Sequence, residues 1–259
     1  MKTKRFFSIL LASMIFFSLL TPGRMAVLAE EPFYTEPMVA AGHNHNLGLK
    51  YDGTVWAWGF NWAGQLGDNT TIDRVAPVQV QNLSDVVAIA AGSSHSLALK
   101  SDGTVWAWGN NNHGQLGADA NTYDHRPIPA QVQNLSGVTA IAANTFFSLA
   151  LKNDGTVWAW GDNRHGQLGD NTTICRHTPA QVQSLSEVTA IAAGPLHCVA
   201  LRNDGTVWTW GDNSQGQLGD GTTIGRSVPI RSGELDGITA IAAGSSHTIM
   251  LKNDGSIWG

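Results

Sequence analysis

The chain has 259 residues, 42% of them hydrophobic and only 14% charged, and its formal net charge is −5. That acidic balance excludes a surface built to neutralise phosphates, so no nucleic-acid partner is expected. The two cysteines, Cys175 and Cys198, exclude a framework of many disulfides, and their spacing does not decide whether they pair.

The first element is a basic start, MKTKR, followed by the apolar run FFSILLASMIFFSLL and the small residues of AVLA. This order predicts a secretory signal peptide over residues 1–29, cleaved after Ala29. The run is short for a membrane span of roughly 20 residues. The expectation is an exported protein, secreted or at the cell surface, with no membrane attachment after cleavage. Loss of Lys2, Lys4, Arg5 and Arg24 lowers the formal charge by four, from −5 to −9. Residues 30–37 read as a short leader.

From residue 38 to 259 the chain repeats itself. DGTVWAWG begins at Asp52, Asp102 and Asp154, DGTVWTWG begins at Asp204, and DGSIWG begins at Asp254, at intervals of 50, 52, 50 and 50. GQLG recurs in step from Gly64, Gly114, Gly166 and Gly216. An apolar AAG or its counterpart ends at Gly42, Gly92, Asn144, Gly194 and Gly244. The two extra residues of the second interval fall between Leu116 and Pro129.

Within one repeat the signals are strand and turn throughout. VVAIAAG is a β-type run closed by Gly92, and HSLALK follows it. An Asp-Gly turn then leads into TVWAW, a hairpin signature. NNNHGQLG is a Gly-rich bend. After a polar loop, PAQVQ reads as an edge strand opening at its proline. Trp56 and Trp58 fall on one side of their strand and Val55 and Ala57 on the other, so both faces are apolar and both need cover. Sheets stacked against like sheets supply it, with Trp on one meeting small residues on the next. The predicted fold is all-β: a β-propeller of four-stranded blades, four full repeats plus a truncated fifth.

The unit carried by Gly92, His95, Leu97, Leu99, Asp102, Gly103, Trp106, Trp108, Gly109, Asn111 and Gly114 to Gly117 resembles the repeat of the regulator of chromosome condensation family. That resemblance implies a seven-bladed propeller. The family's eukaryotic founder is an exchange factor for a small GTPase that binds chromatin, and relatives include a secreted inhibitor of β-lactamase and a plant UV-B photoreceptor. With fewer than five whole repeats here, the expectation is a fragment of a longer product, in preference to a smaller ring or one completed by another chain. An open blade edge would invite self-association.

Candidate chemistry is sparse. His45, His95, His197 and His247 recur in AGxxH, but Phe147 interrupts the series, which suits a structural turn better than a ring of metal ligands. Ser94 and His95 are strand neighbours pointing to opposite faces, and no GxSxG occurs. The glycines of GQLG precede no helix, so they read as turns rather than a phosphate cradle, with Asn61, Asn111, Asn163 and Asn213 closing the bend. Each DGT turn offers one carboxylate, too few for Ca²⁺. The sequons at Asn69, Asn82, Asn134 and Asn171 keep the period. No catalytic residue, metal site or cofactor is expected, and the chain reads as a non-enzyme.

Specificity then belongs where the repeats disagree. In the bend before GQLG these positions are Trp62, His113, Arg164 and His165. Phe146 stands in the turn before the repeated His. In the loop after GQLG they are Tyr123, His125, Arg126, Arg176 and His177. Aromatic and Arg residues on loops of a rigid scaffold suit a binding surface for a protein or cell-surface glycan. The expected function is a secreted, non-enzymatic binding scaffold; the resemblance alone supplies the alternatives of a nucleotide exchange factor or a secreted enzyme inhibitor.

Overall fold

The computed structural model describes residues 33–117 and 124–259. The expected signal peptide, residues 30–32 of the leader and Tyr123 lie outside the described residues. All elements among them are strands, and each repeat folds into one antiparallel sheet. The first sheet is β1 (Met38–Ala41), β2 (His45–Leu49), β3 (Val55–Gly59) and β4 (Arg74–Gln79). The second is β5 (Val86–Ala91), β6 (His95–Lys100), β7 (Val105–Gly109) and β8 (Arg126–Gln131). The third is β9 (Val138–Asn144), β10 (Phe147–Lys152), β11 (Val157–Gly161) and β12 (Arg176–Gln181). The fourth is β13 (Val188–Ala193), β14 (His197–Arg202), β15 (Val207–Gly211) and β16 (Arg226–Arg231). The fifth has three strands, β17 (Ile238–Ala243), β18 (Thr248–Lys252) and β19 (Ile257–Trp258).

Strand order within each sheet follows chain order, and the first strands of successive sheets, β1, β5, β9, β13 and β17, touch in sequence. That is the radial stacking of propeller blades. The Asp-Gly hairpins form as expected. Gly53 takes φ 75°, and its N–H donates to the Lys50 carbonyl at 3.0 Å, a turn that a residue with a Cβ adopts only at a cost.

The fourth strand departs from expectation. It opens at Arg126, three residues before Pro129, and the proline lies inside it. The register explains why. Ala107 pairs with Ala130 and Gly109 with Arg126, so three residues, Pro127 to Pro129, bulge opposite Trp108 alone. A proline without an N–H is tolerated where the ladder is already interrupted. Pro77, Pro179 and Pro229 occupy the same interruption in the other full blades.

The tryptophans also divide in a way their alternation does not disclose. Trp108, Trp160 and Trp210 are fully buried, each against the core of the preceding blade, among leucines and valines such as Leu47, Leu66 and Val80 for Trp108. Burying a side chain of this size contributes about 5 kcal/mol before ordering entropy. The indole N–H of Trp108 donates at 2.9 Å to the Gln65 carbonyl, as Trp160 does to Gln115 and Trp210 to Gln167. The small residue each ring meets is the last glycine of GQLG: a Cβ on Gly67 would lie 2.9 Å from Trp108 Nε1. By contrast Trp106, Trp158 and Trp208 are half-buried. Each donates to the threonine of its own DGT turn and lies under Lys100, Lys152 or Arg202.

On the first blade Trp56 and Trp58 line an open apolar cavity with Met38, Val39, Leu49 and Pro77. On the last blade Ile257 and Trp258 are exposed.

Candidate functional site

Antiparallel order puts the connections of every blade on two rims. The turn before the repeated histidine and the bend before GQLG share one rim: Asp162 N–H donates to the Phe146 carbonyl at 2.9 Å, as Phe60 N–H does to that of Asn44. The DG turns share the other with the inter-blade loops, where Ser101 N–H meets the Asp85 carbonyl at 2.9 Å. The positions at which the repeats differ most lie on the bend rim, whereas the DG rim presents nearly the same turn in every blade.

The bend itself is framework. In the first, third and fourth blades the asparagine amide clamps the following loop: Asn61 Nδ2 donates to Asp68 and to the Thr70 and Ile72 carbonyls, and Asn163 and Asn213 repeat this. Its oxygen accepts the N–H of Leu66, Leu116, Leu168 or Leu218 at 2.9 to 3.1 Å. The loop is then pinned by an arginine on a nearly buried carboxylate, Arg74 on Asp68, Arg176 on Asp170 and Arg226 on Asp220. Arg176, a candidate for partner contact, is therefore a member of this structural series, although it remains partly exposed. Positive φ at Asn69, Asn82, Asn134 and Asn171 gives the sequon asparagines a backbone reason to be there.

The repeated histidines seal the blades. His45 Nε2 lies 2.9 Å from Ser96 Oγ, and the Ser96 hydroxyl donates to the Gln65 carbonyl at 2.8 Å. With its only proton spent there, Ser96 accepts, so His45 carries its proton on Nε2. His95 meets Ser148 and His197 meets Thr248 in the same way. Burial pulls His45 and His197 down to about 4 and His95 to about 3, so all three are neutral.

The interruption at Phe147 is matched on both sides. The next blade offers Cys198 where the others offer a hydroxyl, with Sγ 3.2 Å from the Gln167 carbonyl. The AAG glycine becomes Asn144, whose amide donates to Ala193 O at 2.8 Å. At Gly92 a Cβ would sit 2.1 Å from the His95 ring, so a side chain there goes with the absence of the imidazole. Both cysteines are free thiols.

The candidate binding residues meet in pairs across blade boundaries. Trp62 stands 44% exposed, with its ring edge-on to His125 at 4.8 Å. His113 lies against Phe146 at 4.8 Å. His165 Nδ1 is 3.9 Å from Asp212. Arg164 folds back on Asp162 with bonds of 2.8 and 3.0 Å. Burial raises the Asp162 carboxyl, but the bonds from Arg164 outweigh it and the net shift is downward. His177 lies behind the bend, its Cα 2.7 Å from where a Gly114 Cβ would stand, and Arg126 opens β8 opposite Gly109. Asp162 and Cys175 complete the His113 cluster and are absent from the sequence-based candidates. Comparing the repeats column by column would have shown them, because Cys175 stands where the others carry Asp73, His125 and Gly225.

Residues 20–259 match the model of the RCC1-like domain. The chain belongs to that family. Among solved structures it resembles human WBSCR16, at TM-score 0.74 and 25% identity over 82% of this chain and 56% of that one. Yeast RCC1 (Prp20), solved bound to Kap60, matches at TM-score 0.72 and 30% identity over 85% and 54%. Prp20p from Saccharomyces cerevisiae, characterised for binding to Gsp1p and histones, matches at 0.72 and 24% over 84% and 57%. The chain thus spans a little over half the length of each.

Proposed function

We propose that this chain is an exported, non-catalytic propeller that binds a protein through its bend rim. One observation carries the reading: differences between otherwise near-identical repeats gather on that rim, as exposed or half-buried aromatic, His and Arg side chains. The opposite rim stays uniform. The relatives support a protein partner over a glycan, since Prp20 is described with Kap60, Gsp1p and histones. The expected charge of −9 after export argues against nucleic-acid partners, and the basic start MKTKR before the apolar run supports export.

A photo-crosslinking residue at Trp62 or Arg164, compared with one at Ser101 on the DG rim, tests this against secreted and envelope proteins. Specific adducts from the bend rim alone are expected. Equal labelling from both rims, or none, overturns the assignment. The family resemblance keeps nucleotide exchange as the rival reading, and accelerated nucleotide release from a small GTPase would establish it instead.

A further inference from the structure

At the boundary of the second and third blades, His113, Asp162 and Cys175 converge from three separate segments. One nitrogen, one carboxylate oxygen and one sulfur lie within 4.8 Å of one another. Cys175 Sγ is already 3.4 Å from Asp162 Oδ1. Asp162 is buried, while His113 and Cys175 are half-buried at the rim. We propose that these three side chains form a zinc-class divalent metal site, with a fourth coordination position open to the bend rim.

The donor set fits that class. Thiolate, imidazole and carboxylate are the zinc ligands, and three protein ligands with one open position is the arrangement of sites that bind water or a further group. Bonds of about 2.0 to 2.3 Å place tetrahedral ligand atoms about 3.5 Å apart, so the S–O pair needs no change and the widest pair closes by about 1 Å. Metal would replace the thiol proton now directed at Asp162, and that proton would leave to solvent. Arg164 stays on the remaining lone pairs of the carboxylate, and Phe146 holds the imidazole by its ring.

The repeat supplies the second observation. The matching trio at the boundary before is Ala63, Asn110 and His125, and at the boundary after it is His165, Asp212 and Gly225. The fold is built at all three boundaries, so nothing in the framework demands three donor atoms at one of them. Cys175 in particular fills a position that Asp, His and Gly occupy elsewhere. This proposal does not depend on the binding partner proposed above.

The sister repeats also furnish variants that the fold already accommodates: His113→Gln, Asp162→Asn and Cys175→Gly, with Cys198→Ser as the control for the other thiol. Co²⁺ titrated into the protein expressed without metal should give one equivalent bound, with tetrahedral d–d bands and a sulfur-to-cobalt charge-transfer band. Zn²⁺ should displace it. The charge-transfer band should vanish in Cys175→Gly and persist in Cys198→Ser, and each of the other two variants should weaken binding at least about tenfold. Absence of stoichiometric Co²⁺ binding, survival of the band in Cys175→Gly, or unchanged affinity in both His113→Gln and Asp162→Asn would overturn the site.

Discussion

Converting the odd blade boundary to the common one tests the histidine seal. Phe147→His removes a fully buried aromatic ring, costing about 2 kcal/mol of apolar burial. It also buries an N–H opposite Cys198, where a sulfur replaces the hydroxyl, and a poorly partnered buried donor costs about 1–3 kcal/mol. Asn144 adds crowding, since the Cβ position at Gly42, Gly92 and Gly194 lies 2.6, 2.1 and 2.3 Å from the imidazole of its own repeat. A total loss of about 3–5 kcal/mol is expected for the single variant. Adding Cys198→Ser supplies an acceptor whose own proton goes to the Gln167 carbonyl, as Ser96 uses Gln65. The pair should recover about 1–2 kcal/mol, and Asn144→Gly should recover more. Urea unfolding followed by tryptophan fluorescence, arranged as a double-mutant cycle over positions 147 and 198, measures the coupling. A coupling energy within about 0.5 kcal/mol of zero would refute the view that these positions covary as a hydrogen-bonded pair.

Three further outcomes follow from the same contacts. Because His45, His95 and His197 titrate near 4, 3 and 4 when folded and near 6.5 when unfolded, the unfolded chain binds more protons below pH 6.5. Stability should hold above that pH and fall between pH 6 and 4.5, by about 1.4 kcal/mol per pH unit per histidine; urea midpoints that stay flat over this range would contradict the burial. Trp160→Phe should cost about 2–3 kcal/mol, through a cavity and the lost bond to Gln115, whereas the half-exposed Trp158→Phe should cost under about 1, by thermal melting of the two variants side by side. Asp170→Ala should release Arg176, Thr172 and Asn163 together and cost about 2 kcal/mol, with new proteolytic cleavage between residues 170 and 176 as the local signature.

Where the sequence was legible, the reason was periodicity. Turn residues, strand alternation and the spacing of GQLG are local properties, so the Asp-Gly hairpins, the asparagine-closed bends and the stacked four-stranded sheets could all be placed from them. The reading of the repeated histidines as structural rests on the same basis, because Phe147 could interrupt the series without interrupting the blades. The fourth strand was placed three residues late because its bulge is set by pairing with the Trp-bearing strand, which no local signal reports.

What the sequence by itself determined is therefore the repeating unit, its strands and turns, and the positions at which copies differ. Tertiary structure alone decided which of two alternating tryptophans seals a blade boundary, since the choice depends on the preceding sheet. It likewise matched Phe147 with Cys198, 51 residues away, and gathered His113, Asp162 and Cys175 from two blades. Those relations cross blade boundaries, and strand periodicity carries information only along one strand.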